Sequence, residues 1–416
     1  QFSGRVYFIS GADNDFPMLT EKPPLHPNSY DKDTEIYTAR GWVNIKDIVV
    51  EDKCLSLNIN SLNLEWSGIK QLFRHYENKM ISFNNRVFDL LVTHNHSMLY
   101  TTDWNHKHNK GKLNFIEAKK LLGKKSGSFY RSSEWNGELK EHYQLGDKKV
   151  TPELYAEFMG WFLSEGCIVA GRNAISISQS DKVNNDKYCR IEELLKNIGI
   201  KYHKKKDGFH CYNKELYNQL LPFGKSFEKY IPEDIKSATQ NIIKVFLDAF
   251  IAGDGHIREG SNWKGGNFNE ERQYFTSSKR MADDLGELII KIGRRPSFHL
   301  DRNKDKWIKY GTYKINHNLW RISECYAQYT SLCNMEIKEI DYKDYSYCVE
   351  LEKNHTLWVR RNGKTCWCGN CRCVIVPITR NNLEARGYLN EVIKLSNAPS
   401  IEIDSFSRFE EVLSQL

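Results

Sequence analysis

The chain has 416 residues, of which 40% are hydrophobic, 12% aromatic and 27% charged, with a formal net charge of +7. This composition excludes a disordered or low-complexity chain, and the length calls for two to four domains rather than one core. No charged-then-apolar leader and no apolar run of membrane length occurs, so an intracellular protein without a membrane partner is expected. The eleven cysteines lack the regular spacing of a small secreted scaffold, which favours reduced thiols.

In chain order, "EKPPLHPN" places three prolines within five positions and marks a boundary in an extended arm near residue 28. From Thr34 to the end of "ISFNNRVFDLLVTHNHSMLYTT", short apolar runs interrupted by turn residues predict an all-β region. After about residue 150 the texture changes. "TPELYAEFMGWFLSEG" has helical spacing, with Thr151 fit to cap and Pro152 and Glu153 suited to a first turn. The strand-like "AISISQS" and a second helix ending at Gly199 follow. The same order recurs as "IIKVFLDAFIAGDGHI", "RQYFTSS" and "KRMADDLGELIIKIG", about ninety residues on, which predicts an internal duplication. Past Trp320 the β texture returns, with an Asn362-Gly363 hairpin signal.

Basic residues gather in the middle, at Lys204-Lys205-Lys206, Arg294-Arg295 and Lys304, Lys306 and Lys309. A solvated surface is the bland account of such runs, and a polyanion footprint requires an adjoining site. Likewise His94 and His96 of "THNH" read, taken alone, as alternate residues of an edge strand. Glu165 and Asp254, each ending an apolar helix just before glycine, read singly as stray acids at helix C-caps. Two such acids at matching places instead suggest a paired-carboxylate site.

Four segments, "SYDKDTEIYTARGW", "VTHNHSML", "YSYCVELEKNHTLWV" and "GNC", resemble the ordered splicing blocks of an intein. "FMGWFLSEG" and "FLDAFIAGDG" resemble the two LAGLIDADG motifs of a homing endonuclease inserted in one. The resemblance covers residues 29 to 370. It implies a mainly β, horseshoe-shaped Hint splicing domain (29–135 and 325–370) interrupted by an α+β two-repeat LAGLIDADG endonuclease domain (136–324). The flanks would be N-extein (1–28) and C-extein (371–416) fragments. Deleting the insert joins them as HPNCRC, similar to a C-terminal motif of phage head-morphogenesis (minor capsid) proteins, and implies a bacterial or phage-infected cytoplasm.

Carried over residue by residue, the resemblance makes Ser29 the first nucleophile, where cysteine is commoner. It makes His96 the donor of a proton to the leaving amide, with Thr93 orienting the scissile peptide. Cys371 would accept the acyl group and Asn370 would cyclise, joining Asn28 to Cys371. The usual penultimate histidine is replaced by Gly369, leaving His355 as assistant, and Cys348 holds the position of a common aspartate. A hydroxyl is a poor nucleophile, so Ser29 is expected to be an engineered replacement of cysteine that traps the precursor. Splicing needs no cofactor. In the middle, Glu165 and Asp254 would hold Mg²⁺ with Lys229 beside them, acting on double-stranded DNA of the insertion-free host gene. Strands after each motif helix would read base edges, and the basic runs would contact phosphates. The protein is expected to be a monomer whose other partners are its own extein segments. Competing expectations are a phage structural protein carrying a splicing-inactive insert that only binds DNA, and a zinc site using His26, Cys371 and Cys373. Cys366 and Cys368 suggest a reversible disulfide with a neighbour.

Overall fold

The structure, a computed structural model, describes residues 28–102, 113–169, 171–260, 262–263, 266–267, 270–302 and 316–370. These belong to one compact unit, Pro27–Arg372. The flanking fragments, His26, Cys371, Cys373 and Lys304, Lys306 and Lys309 lie outside the described residues.

Strand dominates, at 44% against 25% helix. The longest sheet runs in the order Gly255–Arg258, Glu271–Thr276, Leu319–Cys325, Arg295–Arg302, Lys364–Gly369, Thr356–Arg361, Glu35–Thr38, Lys53–Leu57, Leu64–Asn84 and Glu336–Leu351. Strands from before residue 150 therefore pair with strands from after residue 335. Leu64–Asn84 and Glu336–Leu351 form a long antiparallel ribbon, and Glu35 and Ile36 pair with Arg360 and Val359. The Asn362-Gly363 hairpin forms as expected, with both residues at positive φ.

The central strands are buried on both faces, which explains their unbroken apolar texture. Ile36, Leu357, Val359, Cys366 and Cys368 enter one core. Tyr37, Trp358 and Trp367 enter another, shared with the helices. Arg131, fully buried, ties these layers by donating to the carbonyls of Val87 (2.6 Å) and Thr365 and to Thr330 Oγ1 (3.1 Å).

Residues 151–325 contain two units of one plan. Helix Pro152–Glu165 is capped by the Thr151 side chain, and helix Asn185–Ile198 stops at Gly199 in the left-handed region (φ 79°). With Gln240–Asp254 and Lys279–Lys291 they give two successions of helix, two sheet strands, helix, two sheet strands, the second carrying a separate small hairpin, Asn262–Trp263 against Gly266–Asn267, between its first two. Within each unit the strands follow the order first, second, fourth, third, so the topology repeats as the sequence repeat suggested. The second unit's sheet continues into the other region through Ser297 against Lys364. Buried charges close this contact. Tyr37 donates to Glu287 (2.7 Å), and Arg360 bridges Glu35 (2.6 and 2.7 Å) and Asp283 (3.2 Å).

Candidate active site

Asn28 and Ser29 enter the fold where Tyr30 bridges both Tyr347 and Val92. Thr93 brackets Ser29. Its Oγ1 accepts from the Ser29 amide at 3.2 Å, and its own amide donates to the Ser29 carbonyl at 3.1 Å. Thr93 to His96 form a turn between strands Asp89–Val92 and Ser97–Thr101, closed by His96 N to Thr93 O (3.1 Å), so the edge-strand account of the two histidines is wrong. A turn points them apart. His94 reaches out to Glu339 (2.6 Å), while His96 is fully buried with the Tyr30 ring edge-on at 4.5 Å. Burial pushes the His96 pKa down to about 3, and the backbone of Ser29 and Asn28, lying against the ring, partly opposes the shift. Among the described residues, neither ring nitrogen nor Ser29 Oγ makes a hydrogen bond of good geometry.

The segment that ends at Asn370 arrives at the same place. Strand Lys364–Gly369 pairs with Thr356–Arg361, setting Gly369 opposite Thr356, and the Asn370 amide donates to the His355 carbonyl (3.1 Å). Tyr30 Oη donates to the Gly369 carbonyl (2.7 Å). Asn28 Nδ2 donates to the Asn370 carbonyl oxygen at 2.6 Å and to Ser97 Oγ at 3.1 Å. Residues 342 positions apart are thus joined directly. Gly369 is itself forced. A Cβ there would lie 2.6 Å from Ser97 Cβ and 2.8 Å from Ser97 O, so a histidine does not fit.

Ser29, Thr93, His96, His355 and Asn370 therefore gather in one place. Cys348 lines a cavity of about 160 Å³ with Ile45, Leu72, Phe73 and Tyr347, one position from the residue bridged to Tyr30. Burial raises the Tyr30 pKa, and the thiols of Cys368, Cys366 and Cys348 add to the rise. Cys366 and Cys368 are buried with Sγ atoms 3.8 Å apart, as thiols, so the nearest thiol to each is the other.

A second site forms where the two motif helices meet. Gly160 lets the backbones touch, since a Cβ there would lie 2.6 Å from Ala249 Cβ and 2.7 Å from the Phe246 carbonyl. Gly253 likewise sits against Glu165, whose Cγ would be 2.8 Å from an added Cβ. Neither helix ends in a left-handed cap: Gly166 (φ −87°) and Gly255 (φ −147°) are extended and open the next strand, against the C-cap account. Asp254 is open to solvent on one side, yet the protein around its carboxylate raises the pKa to about 6, with Glu165 adding to the rise and Lys229 opposing it. Burial also raises Glu165, against Lys187 and Lys229.

Lys229 is buried and donates to the carbonyls of Phe162 (3.1 Å), Leu163 (3.0 Å) and Gly166 (2.7 Å). Burial pulls its pKa to about 8 against Asp254, Cys167 and Glu165. Its ammonium thus satisfies the end of helix Pro152–Glu165, beside the acids rather than projecting past them. Two crowded carboxylates, each disfavoured as an anion, suit a hard divalent cation that takes oxygen ligands and keeps water or phosphate in its other positions. No group of three or more His, Cys, Asp or Glu suited to a metal occurs among the described residues.

Away from the helices, the repeated sheets present polar side chains. Cys167, Ser176, His210 and His203 align across one, and His256, Gln273, Ser323 and Ser297 across the other. The opposite faces carry Ile175, Ile177, Tyr274, Ile322 and Phe298 into the helical core. Of the basic runs, Lys204 pairs with Glu192 (2.8 Å) and Arg294 stacks on Tyr326, whereas Arg295 is buried and unavailable to a surface phosphate. Sequence reading named Asn28 only as the residue to be joined to Cys371 and missed its side chain, Tyr30 and Ser97, because nothing local marks a residue whose partner lies more than three hundred positions away.

No family model matches the chain. Among curated proteins it is 24% identical over 369 residues to an ATP-dependent Clp protease proteolytic subunit of Chlamydomonas moewusii, covering 79% of this chain and 35% of that protein. It is 24% identical over 373 residues to a ribonucleoside-diphosphate reductase subunit beta of Aquifex aeolicus, covering 84% and 51%. The chain thus spans between a third and about half of the length of these relatives. Among solved structures it is similar to a splice-inactive AceL NrdHF class 3 split intein (21% identity, TM-score 0.23, 26% of this chain and 65% of that one). It is also similar to a DnaB intein from Synechocystis (18%, TM-score 0.20, 25% and 69%). A third is the homing endonuclease I-DmoI, solved in complex with DNA and Mn (12%, TM-score 0.27, 42% and 89%).

Proposed function

We propose that residues 29–370 excise themselves from the chain and ligate Asn28 to Cys371, and that residues 136–324 cut double-stranded DNA. The splicing domain comprises 29–135 and 325–370, and the flanks 1–28 and 371–416 are the segments joined. The observation that carries the reading is the meeting of both junctions: Asn28 bonded to the Asn370 carbonyl, with His96 buried against the Asn28-Ser29 backbone.

In the first step Ser29 Oγ attacks the Asn28 carbonyl carbon, a C–O bond forms and the C–N bond breaks. The Oγ proton passes to His96 and from it to the departing Ser29 nitrogen, which Thr93 Oγ1 already holds. A neutral ring with so low a pKa is a weak base, but once protonated it is a strong acid, suited to the second transfer. Cys371 Sγ then attacks the ester carbon, a C–S bond forms, the C–O bond to Ser29 Oγ breaks, and the thiol proton ends on the released Ser29 hydroxyl. The Asn370 side-chain amide closes on its own carbonyl, breaking the bond to Cys371, with His355 adjacent. An ordinary thioester-to-amide rearrangement completes the product. Ser29, in place of cysteine, makes the first step slow, and replacement of an original cysteine by engineering belongs to this reading.

In the middle, Glu165 and Asp254 would hold Mg²⁺, whose chemistry is activation of water and stabilisation of a leaving phosphate oxygen. Lys229 orders the end of the helix that carries Glu165, and the polar sheet faces read base edges.

Mass analysis of the purified chain with Ser29 and with Ser29→Cys tests the first activity. Ligated 1–28/371–416, forming faster with cysteine, is expected, whereas intact chain from both would refute it. Mg²⁺-dependent double-strand cleavage of the insertion-free gene tests the second. Salt-dependent duplex binding without cleavage would leave a DNA-binding module only.

A further inference from the structure

We infer that the Asn28 side chain, on the segment outside the insert, is a catalytic donor for cleavage at the far junction, stabilising the oxyanion that develops on the Asn370 carbonyl oxygen. The inference rests on the splicing reading and deepens it. It makes residue 28 a determinant of which host site the insert can leave.

The geometry is direct. Asn28 Nδ2 lies 2.6 Å from the Asn370 carbonyl oxygen, and its second contact is Ser97 Oγ at 3.1 Å. The amide orientation is fixed by chemistry, because a carbonyl oxygen only accepts and so must face the NH₂ end. When the Asn370 side-chain nitrogen attacks, a new C–N bond forms at the Asn370 carbonyl carbon and the bond to the Cys371 nitrogen breaks. The attacking nitrogen loses a proton and the leaving nitrogen gains one. Between those events the carbonyl oxygen bears negative charge, where a donor already in place stabilises the transition state more than the ground state.

Two further observations favour this role. Gly369 cannot be exchanged for a side chain able to assist, because Ser97 Cβ and Ser97 O fill the space at 2.6 and 2.8 Å. The same Ser97 holds the Asn28 amide through its hydroxyl, so one residue closes the usual route to assistance and braces the substitute. Moreover, once its acyl group moves to Cys371, Asn28 is attached to the residue bonded directly to Asn370. The donor therefore stays within a residue of its target through the sequence of steps, and is in place when cyclisation is due.

The test uses the full chain carrying Ser29→Ala, in which only Asn370 cyclisation can break the chain. Release of 371–416, with succinimide-ended 1–370, is followed by intact mass, with Asn370→Ala as blank. Adding Asn28→Ala is expected to slow release about tenfold or more. Asn28→Asp, equal in shape but presenting an acceptor where the donor stood, is expected to be slower than Asn28→Ala at pH 7. A merely structural role would lower the urea midpoint of Asn28→Ala and Asn28→Asp without slowing release from the folded chain. Release from Asn28→Ala within about twofold of the parent, or from Asn28→Asp as fast as the parent, overturns the inference and leaves the splicing reading standing. No release from the parent above the Asn370→Ala blank overturns both.

Discussion

His96 makes a stability prediction whose size follows from its burial. Its pKa is about 3 in the folded chain and 6.5 when exposed, so between these values the unfolded state binds a proton that the folded state refuses. Stability is complete above about pH 6.5 and is lost as the pH falls toward 3, at about 1.4 kcal/mol per unit. By pH 5 the loss is about 2 kcal/mol, and over the whole interval about 5 kcal/mol. The assay is urea unfolding followed by tryptophan fluorescence at pH 7.5, 6 and 5, in a chain kept intact by Ser29→Ala and Asn370→Ala. Each point is repeated with His96→Leu, which keeps an apolar side chain in the Tyr30 pocket and does not titrate. Other groups titrate equally in both proteins, so the difference between the two curves isolates the imidazole. The variant is expected to gain about 2 kcal/mol relative to its parent between pH 7.5 and 5. Curves that stay parallel within about 0.5 kcal/mol would refute the argument, placing the ring in solvent or beside an anion.

Asp254→Asn and Glu165→Gln are each expected to abolish metal-dependent DNA cleavage while leaving the yield of ligated product unchanged, read by gel and by mass. Because the Asp254 carboxyl takes its proton near pH 6, cleavage by the unsubstituted chain is expected to fall as the pH drops through 6, with higher Mg²⁺ restoring it. Gly160→Leu drives the motif helices apart where Ala249 leaves no space, costing about 1–3 kcal/mol by overpacking and eliminating cleavage, with splicing as the internal control. Tyr30→Phe removes the donor to the Gly369 carbonyl, and about 1–2 kcal/mol of stability measured by urea midpoint should go with it. Gly369→His is expected to lower both soluble yield and splicing.

What the sequence determined by itself was local. Helix Pro152–Glu165 begins at Thr151 because a threonine side chain caps it, and Asn185–Ile198 ends at Gly199 because glycine enters the left-handed region cheaply. The Asn362-Gly363 turn and the repeated helix–strand plan were legible for the same reason: they depend on neighbours a few positions away. The turn at Thr93–His96 was not legible, since two histidines two apart look like a strand until a hydrogen bond closes the turn. Nor was the commitment of Lys229 to the carbonyls of Phe162, Leu163 and Gly166, or the burial of Arg295 within an apparently basic run.

Only the tertiary structure decided that Asn28 and Asn370 meet. Pairing of Glu35–Thr38 with Thr356–Arg361, and of the long ribbon strands, closes a loop of more than three hundred residues and sets Asn28 against Asn370. Such contacts arise from the burial of whole sheets on two faces, a property of the assembled layers that no stretch of residues carries alone. That is why caps, turns and the repeated plan could be read in order along the chain, while the Asn28 donor, the closed space at Gly369 and the dry setting of His96 could not.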